Sequence, residues 1–369
     1  VIVEVDVEKL ISKGLGLARY DNRALFIKGA LEGEKVKVKL SKSKKDYLEA
    51  TLVEIVKPSK NRVKPICEYY GVCGGCDLQH LEHHSQIDAK EKIIKENFLR
   101  IGKIDLDKNN IKIENSSFAD SSSYRHRVRF HIDKVNNKVG FLEAKSKNVV
   151  DIKYCPIITD SLNSFLNENR ETLLKLNKNQ VRVFDANENV SVEKDEVHYE
   201  LLGKRLYLDA TLFFQSNRYL LENLINFVKE NVTENNIADL YAGVGTFSAF
   251  IEGATKNTYA VENNKNALYY AKKNLKYTKF FTRDVEKWPL LKSIECVVID
   301  PPRVGLDKSV IKTIGESNVK QIVYISCDSA TLARDCHLFN EFSFKIKKMK
   351  MFDFYPHTSH IESGVVLKR

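Results

Sequence analysis

From about residue 205 to its end the chain alternates short apolar runs with segments of helical period, and this alternation restricts its fold more than any other feature. Apolar runs near 237–240, 257–261, 294–299 and 320–325 are separated by helical patterns near 246–253, 264–276, 307–315 and 329–339. Strand–helix–strand units repeated in this way build a doubly wound parallel sheet. Ligands bind such sheets outside the carboxyl ends of the strands, so the loops after these runs are where the chemistry is expected.

Each of those loops carries a distinctive group. In DLYAGVGTF (239–247) the small residues Ala242, Gly243 and Gly245 let the chain turn tightly and approach a ligand. The pattern falls short of the full dinucleotide fingerprint and is weak as a sign of NAD. Glu262 closes the next strand, where a carboxylate could accept ribose hydroxyls, and Asp284 is a candidate for the adenine or ribose edge. IDPPR (299–303) leaves Asp300 at the carboxyl edge in a loop stiffened by two prolines. YISCDSATLARD (324–335) places Cys327 just before a helix start that Asp328 or Ser329 can cap. A cysteine at a helix N-terminus is expected to have a lowered pKa and so to be a nucleophile. HTSHIES (357–363) sets Glu362 near His357 and His360, with no HExxH pattern to suggest a metal.

Residues 1–57 predict a small β-barrel. VIVEVDVE alternates, and EKVKVKL puts Val36, Val38 and Leu40 on one face and Lys35, Lys37 and Lys39 on the other. Five short strands fit an OB-like barrel, a common oligonucleotide binder, although a lysine stripe also suits any solvated strand face. Pro58 to Pro65 reads as a linker. Residues 58–204 form a middle domain with a helix near 85–100, several strands and a cysteine cluster, and 205–369 form the third. Cys67, Cys73 and Cys76 lie within ten residues in CEYYGVCGGC, and Cys155 precedes Pro156 far downstream. Such spacing suits a metal centre without separating iron–sulfur from zinc. The C-x₃-C-x₂-C run of radical enzymes is absent. In YRHRVRF (124–130), Arg125, Arg127 and Arg129 alternate with Tyr124, His126, Val128 and Phe130, giving one cationic strand face for phosphates.

Composition adds bounds. The 369 residues carry 59 Lys and Arg against 49 Asp and Glu, a net charge of +10 that suits a polyanionic partner. Hydrophobic residues at 43% exclude a disordered tail, a collagen-like fibre and a small disulfide scaffold. No apolar run is long enough for a membrane helix, and VIVEVDVEKL does not read as a secretory signal. The chain begins at Val1 rather than Met, so residues ahead of it are expected to have been removed. Seven cysteines without a secretory signal suggest a reducing, cytoplasmic setting.

Together these residues resemble the RNA uracil-5-methyltransferase family, in the branch with an N-terminal TRAM barrel and an iron–sulfur cluster. CGGCDLQHL, GFLEAKSKNVVDIKYCP, FFQSN, DLYAGVGTF, DPPRVGL, YISCDSATLARD and PHTSHIE follow one another in the family's order. The resemblance implies an α/β Rossmann-like methyltransferase domain, an OB-like TRAM barrel and a mixed α+β iron–sulfur domain. It implies a 4Fe–4S cluster on Cys67, Cys73, Cys76 and Cys155. It further implies S-adenosylmethionine bound by Gln215, Tyr241, Gly243, Thr246, Glu262, Asp284 and Asp300, with Cys327 as nucleophile and Glu362 as general base. The implied partner is ribosomal or transfer RNA, with no membrane, and a monomer is expected. Two departures stand out: Ala242 replaces a usual cysteine, and Asp328-Ser329 replaces the usual Asn-Pro, where Asp328 would oppose thiolate formation. Two other classes compete. One is an RNA-binding protein that no longer turns over; the other is DNA cytosine-5 methylation, which expects Pro rather than Ser326 before the cysteine.

Overall fold

The computed structural model describes residues 1–117 and 120–369. The chain divides into two compact units. One comprises Val1–Ile93, Phe141–Val150 and Tyr355–His360; the other comprises Ile94–Gly140, Asp151–Phe354 and Ile361–Arg369.

The first unit begins with the expected five strands: β1 (Ile2–Ile11), β2 (Leu15–Tyr20), β3 (Arg23–Lys28), β4 (Lys35–Ser43) and β5 (Tyr47–Lys57). They close as a barrel in the order β1-β2-β3-β5-β4, because β1 pairs with both β2 and β4 and leaves no open edge. Val5, Val7, Leu25, Ile27, Val36, Val38 and Leu48 fill its interior. Lys35, Lys37 and Lys39 face outward as alternation requires. Two of them are paired across strands: Lys37 with Glu54 at 2.9 Å, and Lys35 with Asp6 at 3.7 Å and Glu4 at 3.9 Å. Glu34, fully buried, accepts from Arg62 Nε at 2.6 Å and Nη2 at 2.8 Å, and from the backbone of Leu31 and Ser59. This pair ties the segment after the barrel to the turn before β4. The helix expected near 85–100 is α1 (His83–Arg100).

The remaining elements are β6 (Ile113–Ser116), β7 (Arg127–Asp133), β8 (Lys138–Leu142), β9 (Val149–Asp151), α2 (Asp160–Glu168), α3 (Arg170–Lys175), β10 (Gln180–Ala186), β11 (Asn189–Val192), β12 (Val197–Leu201), β13 (Lys204–Leu208), α4 (Leu221–Asn231), β14 (Asn236–Leu240), α5 (Ser248–Ile251), β15 (Asn257–Glu262), α6 (Lys265–Asn274), β16 (Thr278–Thr282), β17 (Cys296–Ile299), α7 (Lys308–Gly315), β18 (Gln321–Ser326), α8 (Ser329–Glu341), β19 (Lys345–Phe352) and β20 (Glu362–Lys368). One sheet runs β11-β10-β7-β8-β9. The main sheet of the second unit runs β16-β15-β14-β17-β18-β20-β19-β6.

The core of that main sheet, β16 to β18, is parallel as the alternation predicts, and its central strands β14, β17 and β18 are buried along nearly their whole length. Its far side differs from a purely parallel sheet. β20 runs antiparallel between β18 and β19, and β6, from far earlier in the chain, adds in parallel at the edge. The helix expected over 246–253 is only one turn, Ser248–Ile251.

Candidate active site at the carboxyl edge of the sheet

Sheet register assembles the site. Leu240 pairs with Val261 and with Ile299, and Glu262 pairs with Thr282. One residue further on, Glu262, Tyr241 and Asp300 therefore stand in a row at the carboxyl ends of β15, β14 and β17. Ser326, the last residue of β18, faces Ser363 of antiparallel β20. The next step of that ladder sets Cys327 opposite Glu362. The nucleophile and base candidates are thus neighbours although 35 residues of sequence lie between their elements' ends.

The electrostatics invert one expectation. Burial pushes the Cys327 thiol up to about 12, with the carboxylates of Glu362 and Asp300 adding to it and Arg303 opposing them. The helix N-terminus does not prevail. Glu362 is itself buried, and its carboxyl is raised well above its ordinary range by burial and by Asp300, against the pull of Arg303. Burial and the charge of Asp239 also raise Asp300, whose Oδ2 accepts from Gln215 Nε2 at 3.0 Å. Asp328 is not among the causes at Cys327. Its carboxylate caps α8, accepting from Ala330 N at 3.0 Å and Thr331 N at 2.9 Å. The departure from Asn-Pro thus supplies a helix cap in place of a rigid proline.

The glycine-rich turn is built for close approach. Tyr241 has φ 63°, a left-handed conformation that an aromatic residue rarely adopts, and Gly243 and Gly245 have φ 56° and 82°. A Cβ at Gly245 would meet Leu275 at 2.7 Å, whereas one at Gly243 would meet nothing, so the space above Gly243 is open. Glu262 latches the turn, accepting from Gly243 N at 2.9 Å and Asn264 N at 2.7 Å. Tyr241 Oη donates to Glu286, and Thr246 is half-buried at the end of the turn. Asp284 is held by Lys287 at 2.8 Å and Asn263 at 3.0 Å. It lines a cavity of about 350 Å³ with Asn263, Lys265, Thr282, Arg283 and Lys287. Gln215 Oε1, buried beside Asp300, has no hydrogen-bond partner among the described residues. Open space above Gly243, this cavity and an unsatisfied amide oxygen fit a nucleoside cosubstrate.

Two groups escaped the sequence reading. Asp239, in the quoted DLYAGVGTF, is buried beneath the turn, accepts from Ser248 N and Oγ through Oδ2, and leaves Oδ1 unpaired. Burial, with a further push from Glu262, raises it to about 7, with the Ser248 hydrogen bonds opposing. Arg303, in the quoted IDPPR, is the cation acting on both Cys327 and Glu362. Both sit in motifs whose other residues drew the attention.

The cysteine cluster is placed less tightly. Cys67, Cys73 and Cys76 share a loop closed by Tyr70 N to Cys67 O and Cys73 N to Tyr69 O. A Cβ at Gly74 would crowd Leu142 O at 3.2 Å, so the loop needs glycine there. Cys155 belongs to the second unit, buried, with its backbone bonded both ways to Asn163. Among the described residues no three His, Cys, Asp or Glu side chains come together as a metal site. Thiolates are the right donors for an iron–sulfur cluster.

The arginine run behaves as its alternation predicts. Tyr124, His126, Val128 and Phe130 are buried, Arg129 is exposed, and Arg125 and Arg127 are half-exposed. Arg129 faces Arg182 of β10, which widens the cationic face.

Comparison with known proteins agrees with this geometry. Residues 289–369 match the tRNA (uracil-5-)-methyltransferase family model, and residues 2–53 match the TRAM domain. An uncharacterized RNA methyltransferase of Treponema denticola is 31% identical, over 95% of this chain and 94% of its own. A 23S rRNA (uracil(1939)-C(5))-methyltransferase of Aliivibrio fischeri is 30% identical, over 100% of this chain and 96% of its own. The chain belongs to the RNA uracil-5-methyltransferase family. The fold of this family member is that of the Pyrococcus abyssi tRNA (uracil-54, C5)-methyltransferase, solved with S-adenosyl-L-homocysteine. The TM-score is 0.79 at 22% identity, over 99% of this chain and 100% of the other. No described helix is long and apolar enough to cross a membrane.

Proposed function

We propose that this methyltransferase transfers a methyl group from S-adenosylmethionine to carbon 5 of a specific uridine in structured ribosomal or transfer RNA, through a covalent bond between Cys327 and the uracil. The observation that carries the reading is the closeness of Cys327, just past the Ser326–Ser363 pair of β18 and β20, to Glu362 and Asp300, whose charges act on its thiol.

Carbon 5 of uracil is a poor nucleophile. Cys327 Sγ adds to carbon 6 as its thiol proton passes to the uracil O4, forming a C–S bond and an enol whose carbon 5 is nucleophilic; the proton is free to return to sulfur when the cysteine is expelled. Bound S-adenosylmethionine supplies the methyl group on an electrophilic sulfonium. Once carbon 5 carries that methyl, Glu362 takes its proton; the electron pair restores the ring double bond and expels the cysteine sulfur. Gln215, Tyr241, Gly243, Thr246, Glu262, Asp284 and Asp300 hold the cosubstrate, and Gln215 also offers its free Oε1 to the uracil edge. The target base must leave its stack to reach this recessed site.

The barrel (1–57) and the Arg125, Arg127 and Arg129 face bind RNA phosphates, while the middle region (58–204) presents Cys67, Cys73, Cys76 and Cys155 to a 4Fe–4S cluster that supports structure or RNA contact. On this reading the protein acts in the cytoplasm as a monomer. The test is to incubate the protein and S-adenosylmethionine with cellular RNA lacking 5-methyluridine and measure that nucleoside. Wild type should form it and Cys327→Ala should form none; no product with wild type, or undiminished product with the variant, contradicts the reading.

A further inference from the structure

A second cavity, of about 230 Å³, opens in the same unit and has no part in the reaction above. It is lined by His126, Asp185, Asn187, Glu188, Tyr199 and Arg218. It lies below the roughly 300–1,000 Å³ of a typical small-molecule cleft, a size that suits a single nucleobase.

Its lining is polar and unsatisfied. His126 is 1% exposed and packs edge-on against Phe184 and Tyr199. Its Nε2 lies 2.6 Å from Gln215 O, a carbonyl that can only accept, so Nε2 carries the proton. Nδ1 is then a lone-pair acceptor, buried and without a partner among the described residues. Burial holds the ring neutral, its pKa lowered to about 4. Asp185, 2% exposed, spends one oxygen on Glu188 N at 2.7 Å. Arg218 is stacked on the Tyr219 ring, with its centre 4.8 Å from the centroid, and its Nε is buried and unpaired.

The cavity therefore offers two carboxylates and a neutral imidazole lone pair as acceptors, the Arg218 guanidinium as its one cation, the neutral amide of Asn187, and an aromatic wall with a hydroxyl in Tyr199. Two acids against one cation disfavour a phosphate. They favour a neutral ring that carries N–H donors and one acceptor. Guanine meets this best: its N1–H and 2-amino group point side by side at a carboxylate, and O6 can take an Arg218 N–H. The cavity is also next to the reaction centre, because Gln215 gives its carbonyl to His126 and its side chain to Asp300.

We infer that this cavity is a second base pocket, which takes an unstacked amino-bearing base, guanine foremost, from a nucleotide flanking the target uridine. The inference rests on the RNA methylation reading. It makes the cavity a specificity element, with base identity read by Asp185 and Arg218 rather than by the phosphate-binding face.

The experiment uses short RNA loops holding one uridine, with each flanking position varied in turn through guanosine, inosine, adenosine, cytidine and uridine. Affinity is read by fluorescence anisotropy and methylation by label transfer. At one position wild type should favour guanosine over uridine by roughly tenfold, the scale of one hydrogen-bonded base contact, with inosine between them. Asp185→Asn keeps an oxygen for Glu188 N but replaces the second acceptor by a donor, and should lose most of that preference. Arg218→Gln, at a half-exposed position, should lose it too and guards against misfolding of the first variant. Methylation by wild type with no flanking preference overturns the pocket alone, as does a preference that survives in both folded variants. A wild type that methylates none of the loops and no cellular RNA overturns the functional reading and the pocket with it.

Discussion

Cys327 stands at the start of α8, where the partial positive charge of a helix end ordinarily favours thiolate. Lost hydration and the charges of Glu362 and Asp300 outweigh that half-charge, and Arg303 offsets them only in part. Cys327 therefore rests as a thiol at neutral pH. Alkylation of Cys327 by iodoacetamide, followed by peptide mass spectrometry on protein without RNA or cosubstrate, should accordingly climb through the alkaline range without a plateau near neutrality. Glu362 raises the thiol's pKa, so its removal lowers it. Glu362→Gln should shift the alkylation profile to lower pH and speed the reaction severalfold at a fixed alkaline pH. A neutral-pH plateau, or an unshifted profile in Glu362→Gln, contradicts this electrostatic account. The sequence placed Cys327 correctly at a helix start but not the direction of its shift, because both carboxylates reach it through pairings distant in sequence.

At the scale of elements, the turns were legible and the ladders were not. The tight turn expected at Gly243 and Gly245 is present, although Gly245 closes on the Leu275 side chain rather than opening towards a ligand. The strict alternation of EKVKVKL foretold which valines fill the barrel. Nothing local announced that β20 would insert antiparallel beside β18, or that Ile113–Ser116 would join the same sheet, since strand pairing is set by distant partners. The Glu34–Arg62 pair was equally invisible. Burial pushes the Glu34 carboxyl up, but hydrogen bonds from Arg62, Leu31 and Ser59 together carry it below its ordinary range. A lowered folded pKa means that its contribution is present above the unfolded value, near 4.3, and is lost as pH falls through the folded one. Arg62→Ala leaves Glu34 buried and unpaired and should cost about 3–5 kcal/mol, read as a lower thermal midpoint. An unchanged midpoint would show that the pair does not hold this segment to the barrel. The cysteine loop makes its own prediction. Anaerobically purified protein should be brown with about four irons per chain, and stoichiometric zinc without visible absorbance would remove the cluster from the account.

For the whole molecule, the sequence disclosed the parallel half of the main sheet and the barrel, because each is written in local periodicity, and it nominated site residues one loop at a time. It did not disclose how Cys327 meets Glu362, nor the polar cavity beside Gln215, both of which depend on the assembled sheets. The account's central claim is that these two residues act in sequence on one covalent species. It is tested most directly with methyl-labelled S-adenosylmethionine and substrate RNA on a denaturing gel. Glu362→Gln keeps the shape of the base but not its proton-accepting strength, so elimination should stall and a labelled protein–RNA band should accumulate. Cys327→Ala should bind RNA and give no such band. A labelled adduct with Cys327→Ala, or wild-type turnover by Glu362→Gln, would contradict the account.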